Sequence, residues 1–347
     1  MAVIADFFNT IFCLLGLGLL LFLIAGLFAP FESMKWWAGW TDHGLEPEQS
    51  SPQLLASLPE ANTEADNFVV YLTGIGGFSG DYLAEREIEF LDRLQTAFGD
   101  KLVLVRDVFP FSVSNNPLNG EGLFRGMWDW IHRQQLANPM HASTFLICAR
   151  NALHVAVSGD PRYGPLNNYG VASEVAISLL RQGYPPGSGQ PITLIGYSGG
   201  GQISIGITRY LYKAFAAPVR IIGLGGVMSN DPGFEVVEHL YQIIGGRNPC
   251  PQTGVVLYPL RWSIVRYSHW NQAKREGRVT TINPGDNVYH VGGEDYFSKV
   301  GKLPNGQTFM DKILEIVTDI LKGNTGKYEA GSMKQGVGSK QRLIPTA

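Results

Sequence analysis

The chain is short of charge, short of cysteine and free of long-period repeats, and each shortage closes off a class of protein. Only 16% of its 347 residues are Asp, Glu, Lys or Arg, against about 25% in an average soluble protein. The formal net charge is −3, so no basic surplus points to nucleic acid as a partner. The cysteines are odd in number and sparse: Cys13, Cys148 and Cys250. They form no CxxC pair and no Cys/His cluster of metal spacing, which excludes a disulfide scaffold and leaves buried, reduced thiols. Nothing in the spacing requires a metal or an organic cofactor. The absence of a 20–50-residue period excludes solenoids and propellers.

Apolar residues, by contrast, make up 45% of the chain. From Phe7 to Phe31 no charge occurs between Asp6 and Glu32. About 20 apolar residues in a helix cross the roughly 30 Å hydrocarbon core of a bilayer. Trp36, Trp37 and Trp40 follow at once, where amphipathic rings sit at headgroup level. A cleaved signal peptide competes with this reading, but the N-terminal region lacks Lys and Arg and the apolar run exceeds the usual h-region. Residues 1–40 are therefore expected to be a retained transmembrane anchor, with membrane lipid as a partner. Lys35, the lone basic residue beside the run, follows it and puts the remainder on the cytoplasmic side.

Residues 41–66 are acidic and rich in Pro and Ser, the composition of a linker. Residues 322–347 are rich in Gly, Ser and Lys and read as a disordered tail. Between them, 67–321 alternates short apolar runs with amphipathic stretches. Strands are expected at Phe68–Leu72, Leu102–Asp107, Ile192–Gly196, Val219–Leu224, Leu240–Ile244 and Val279–Ile282. Helices are expected at Tyr82–Phe98, Tyr169–Gln182, Gln202–Ala216 and Phe309–Leu321. This is the pattern of an α/β domain, a mostly parallel central sheet with helices on both faces. The segment 109–169 breaks the alternation and is read as an inserted lid or cap, ordinary crossover helices being the alternative.

The most specific motif is Pro191–Gly206, PITLIGYSGGGQISIG. An apolar strand runs into Gly196-Tyr197-Ser198-Gly199-Gly200 and then directly into a helix. A nucleophile on such a tight turn needs glycine at Gly196 and Gly200, because side chains there collide with the adjoining strand and helix. Ser198 then stands at a helix N-terminus, whose dipole favours developing negative charge.

On this elbow, 67–321 resembles the α/β-hydrolase superfamily of lipase- and esterase-like serine hydrolases. The resemblance implies a Ser…acid…His order along the chain. It also implies an oxyanion loop after the first strand, where Thr73-Gly74-Ile75-Gly76-Gly77 stands, with Thr73 in the usual His position. The expected donors are the N–H groups of Gly199 and of Ile75 or Gly76. A dinucleotide site is the competing reading of Gly74-x-Gly76, but Ser79 occupies the place of the third glycine.

The family places its base after the last strand, where His290 lies. The acid is where the match frays, since Asn248 stands at the position that commonly carries Asp. Asp231, at the end of the previous strand, and Asp286, four residues before His290, are the other candidates. The resemblance thus implies an ester- or thioester-cleaving enzyme with an apolar acyl substrate. With Asn248 in the acid position, a non-catalytic hydrolase-fold protein that binds or assembles with a protein partner remains the alternative.

Overall fold

The computed structural model describes residues 33–34, 59–120, 124–139 and 141–329. The anchor with its Trp36, Trp37 and Trp40 belt, most of the linker and the tail beyond Glu329 lie outside the described residues. Among the described residues no helix is long and apolar enough to cross a membrane.

Six strands form one sheet: β1 (Asn67–Leu72), β2 (Leu102–Val105), β3 (Ile192–Tyr197), β4 (Val219–Leu224), β5 (Val237–Ile243) and β6 (Val279–Ile282). Every pairing is parallel, in the order β2-β1-β3-β4-β5-β6. Parallel strands need crossovers, supplied by the helices α1 (Glu85–Phe98), α2 (Arg125–Ala137), α3 (Thr144–Gly159), α4 (Gly164–Arg181), α5 (Gly199–Phe215), α6 (Cys250–Leu257) and α7 (His269–Arg275) and, between β4 and β5, by the short helix Pro232–Glu235; α8 (Phe309–Leu321) follows the last strand.

Alternation along the strands divides the core in two. Phe68, Val70, Leu72, Leu194 and Ile221 face a layer built from α2, α3, α4, α5 and α7. Val69, Tyr71, Ile195, Ile222 and Ile243 face the opposite layer, built from α1 and α8. Both faces are covered, which is why the strands read as continuous apolar runs.

The chain order reverses beside β1, which has β2 on one side and β3 on the other. At such a switch point the loops leaving neighbouring strands diverge and leave a crevice beyond the carboxyl ends. The register sets Leu72 against Gly196, so the loops after β1 and β3 emerge side by side.

The folded unit is longer at both ends than composition suggests. Asn62 N–H donates to the Gly183 carbonyl at 2.8 Å, and Ala65 is buried in the core. Beyond α8, Tyr328 packs on the α1/α8 layer and donates to Asp319, while Lys327 pairs with Asp319 at 2.7 Å. Residues 59–66 and 322–329, read from composition as the end of a linker and the start of a tail, make these contacts with the domain. A few scattered contacts hold these segments, and they leave no periodic trace in the sequence.

Candidate active site

Ser198 occupies the one-residue turn between β3 and α5 with φ 51° and ψ −117°. A non-glycine residue there is strained and persists only where its surroundings overdetermine it. They do so here. The Ser198 N–H donates to the Leu224 carbonyl on β4 at 3.0 Å, and its own carbonyl accepts from Gly201 N–H at 3.1 Å. A methyl group on Gly200 would lie 2.2 Å from the Leu72 carbonyl oxygen, and one on Gly196 2.6 Å from that of Gly200. Only bare backbone lets β1, β3 and α5 converge so closely.

The strained turn aims the Ser198 hydroxyl at His290, with Oγ 2.9 Å from Nε2. His290 sits in the long loop after β6, and two clamps position it. Tyr197 donates its hydroxyl to the His290 carbonyl at 2.9 Å. Arg86, on α1, donates to the Gly292 carbonyl and forms an ion pair with the buried Asp295. Burial, and secondarily the Arg86 charge, push the imidazole down to about 4. At neutral pH it is uncharged and can accept the serine proton.

Accepting at Nε2 leaves the imidazole proton on Nδ1, which is buried without a hydrogen-bond partner among the described residues. The structure therefore brings together Ser198 and His290 but none of the three candidate acids. Asp231 accepts from Gly233 N–H at 2.7 Å and caps the short helix Pro232–Glu235. Its carboxyl lines a separate cavity of about 310 Å³ with Asn168, Arg209 and Tyr258, and burial pushes it up to about 6. The Asn248 Oδ1 accepts from Cys250 N–H at 2.9 Å, and its Nδ2 donates to the Tyr296 hydroxyl at 2.8 Å. Asp286 is exposed and accepts from Asn283. Each is committed to local backbone or loop geometry, which its place in the sequence does not reveal.

The oxyanion candidates adjoin the serine. A methyl on Gly199 would sit 2.7 Å from Cγ2 of Ile75, so the two expected donors border one another, and Gly76 faces open space. The Gly199 N–H belongs to the first turn of α5, where amides have no intrahelical acceptor.

The carbonyls of the Ile75–Gly77 loop are held on the other side. Asn151 on α3 donates to both Ile75 and Gly77 at 2.8 Å, and Gln135 on α2 donates to Gly76 at 2.8 Å. Beneath the loop, Thr73 and Tyr71 both donate to Glu87 on α1, at 2.7 and 3.0 Å. Burial raises the Glu87 carboxyl, and these two donors oppose that shift.

Arg86, Glu87, Gln135 and Asp295 were not singled out from the sequence. For Glu87 a signal existed: it stands in the apolar stripe of α1 with Phe90, Leu91 and Leu94, where an uncompensated acid does not belong. Among the described residues no group of three or more His, Cys, Asp or Glu is placed to hold a metal ion. Compared with protein-family models and with curated proteins, the chain matches none.

Proposed function

We propose that this chain is a membrane-anchored serine hydrolase of α/β-hydrolase type that cleaves an ester or thioester of an apolar acyl substrate. The observation that carries the reading is the strained Ser198 aimed at Nε2 of a neutral His290, 2.9 Å away. His290 takes the hydroxyl proton while Oγ attacks the acyl carbonyl. The loop at Ile75–Gly76 and the Gly199 N–H receive the oxyanion, and the protonated His290 returns its proton to the departing alcohol or thiol. Water then attacks the acyl-enzyme with His290 again as base, releasing the acid and restoring Ser198. The helices α2 and α3 of the segment 109–169, packed on the sheet as crossover helices, hold the oxyanion loop. The apolar run 7–31 tethers the domain to the membrane, with the domain on the cytoplasmic side.

A second reading has one observation in its favour: among the described residues Nδ1 of His290 meets no hydrogen-bond partner. A hydrolase-fold protein that binds a partner without turnover fits that gap. Labelling of the detergent-solubilised chain by a fluorophosphonate separates the two. Labelling that disappears in Ser198→Ala and in His290→Ala supports the enzyme; absence of labelling in folded wild type supports the binding protein.

A further inference from the structure

The segment from α6 to α7 exposes apolar side chains that a domain normally buries. Val256 is 74% exposed, Ile264 81% and Tyr267 83%, with Leu257, Leu260 and Trp262 around half exposed between them. Contiguous exposure of this kind marks a contact surface. Its charge has one sign. Between Cys250 and Arg275 there is neither Asp nor Glu, and Arg266, Lys274 and Arg275 are exposed. The acids around it are engaged: Asp160 with Arg162, Asp231 with the Gly233 N–H, Glu235 with His269 and Glu276 with Arg278.

Two placements say what this surface meets. Ser33, two residues after the uncharged run ends at Phe31, is buried against α4, its hydroxyl bonded to Asn167. Asn168, the next residue, lines the 310 Å³ cavity whose other wall includes Leu257 and Leu260. Ser33 thus rests on α4 next to a residue that lines the cavity beside the exposed apolar segment. The same segment also adjoins the candidate site. A methyl on Gly159 would lie 3.1 Å from the Tyr258 hydroxyl and one on Gly199 2.8 Å from Val155, so α3 runs from this segment to the Ser198 turn.

We infer that the 255–267 surface docks on an anionic bilayer, its apolar side chains entering the interface and Arg266, Lys274 and Arg275 meeting lipid phosphates. This rests on the reading of 7–31 as a membrane anchor. It adds a second, peripheral attachment that seats the Ser198 crevice against the lipid, so the acyl substrate is taken from the bilayer rather than from water.

The test uses the full chain with its three cysteines replaced by serine, in vesicles of phosphatidylcholine and phosphatidylglycerol carrying doxyl-lipid quenchers. An environment-sensitive fluorophore is attached at Ile264→Cys or at Val300→Cys, two exposed positions, the second in the loop that packs toward α1 and α8. Docking predicts blue-shifted emission and severalfold stronger quenching at position 264, weakened by Arg266→Glu with Arg275→Glu. Equal quenching at the two positions overturns it. So does a blue shift at 264 without quenching, which means that protein covers the surface. Fluorophosphonate labelling of the same samples separates the readings. Labelling without insertion removes the docking surface alone, and insertion without labelling removes the hydrolase alone.

Discussion

Tyr197, the residue before Ser198, donates its hydroxyl to the carbonyl of His290 at 2.9 Å. The turn that carries the serine therefore also sets the backbone of the base, and the pair is positioned by one continuous unit rather than by two independent loops. Tyr197→Phe keeps the ring packing and removes only this bond. A hydrogen bond of this kind is worth about 1 kcal/mol, so kcat for an acyl ester should fall about fivefold to tenfold, with KM nearly unchanged. A rise in KM at constant kcat would show that the bond serves substrate binding instead.

The pH profile follows from the state of His290. Its imidazole is pushed from the ordinary 6.5 to about 4 by burial, assisted by Arg86. Only the neutral ring accepts the serine proton, so activity is retained as pH falls through 6.5 and is lost near pH 4. The acid limb of kcat/KM should thus have its midpoint near 4. In Arg86→Ala the opposing charge is gone, and the midpoint should move upward. A wild-type midpoint near 6.5 would mean that the base is solvated in the working enzyme.

Asn151 is fully buried and its amide holds two carbonyls of the oxyanion loop. Asn151→Ala leaves both without that donor, at a cost of about 1–3 kcal/mol each, and frees the loop to rotate its N–H groups out of the site. Loss of about 10²-fold in kcat is expected, with a lowered Tm by calorimetry. Lowered stability with undiminished kcat would assign Asn151 to folding only.

Asp231 should matter to stability and not to turnover. Its carboxyl is raised from 3.8 to about 6 by burial, so the folded chain holds this proton more tightly than the unfolded one. That stabilising contribution is complete below about pH 3.8 and is lost as pH rises through 6. Asp231→Asn never ionises and still caps. Its Tm should exceed wild type at pH 7.5 and approach it at pH 4, with hydrolysis unchanged. A loss of about 10³-fold or more in kcat would restore Asp231 as the triad acid.

The strands and the serine turn were legible because local chemistry dictates them. Continuous β-branched runs specify doubly covered parallel strands, and Gly196 and Gly200 flank a turn that only glycine permits. His290 was singled out only through what the resemblance to the α/β-hydrolase superfamily implies about the loop after the last strand. What could not be read were long-range commitments. Asp231 is spent on Gly233 and Asn248 on Cys250 and Tyr296, and a pattern of residue types does not say which hydrogen bond a side chain has already made. The supports Gln135, Asn151 and Glu87 reach the loop from three different helices, at separations that carry no periodic signal.

Those supports come from opposite sides of the sheet. Asn151 and Gln135 grip one loop from the layer of α2 and α3, whereas Arg86 draws the His290 loop toward the layer of α1 and α8. The contact between Ser198 and His290 is in effect a caliper closed across the full thickness of the sandwich. A shift of either layer against the sheet moves one jaw and not the other.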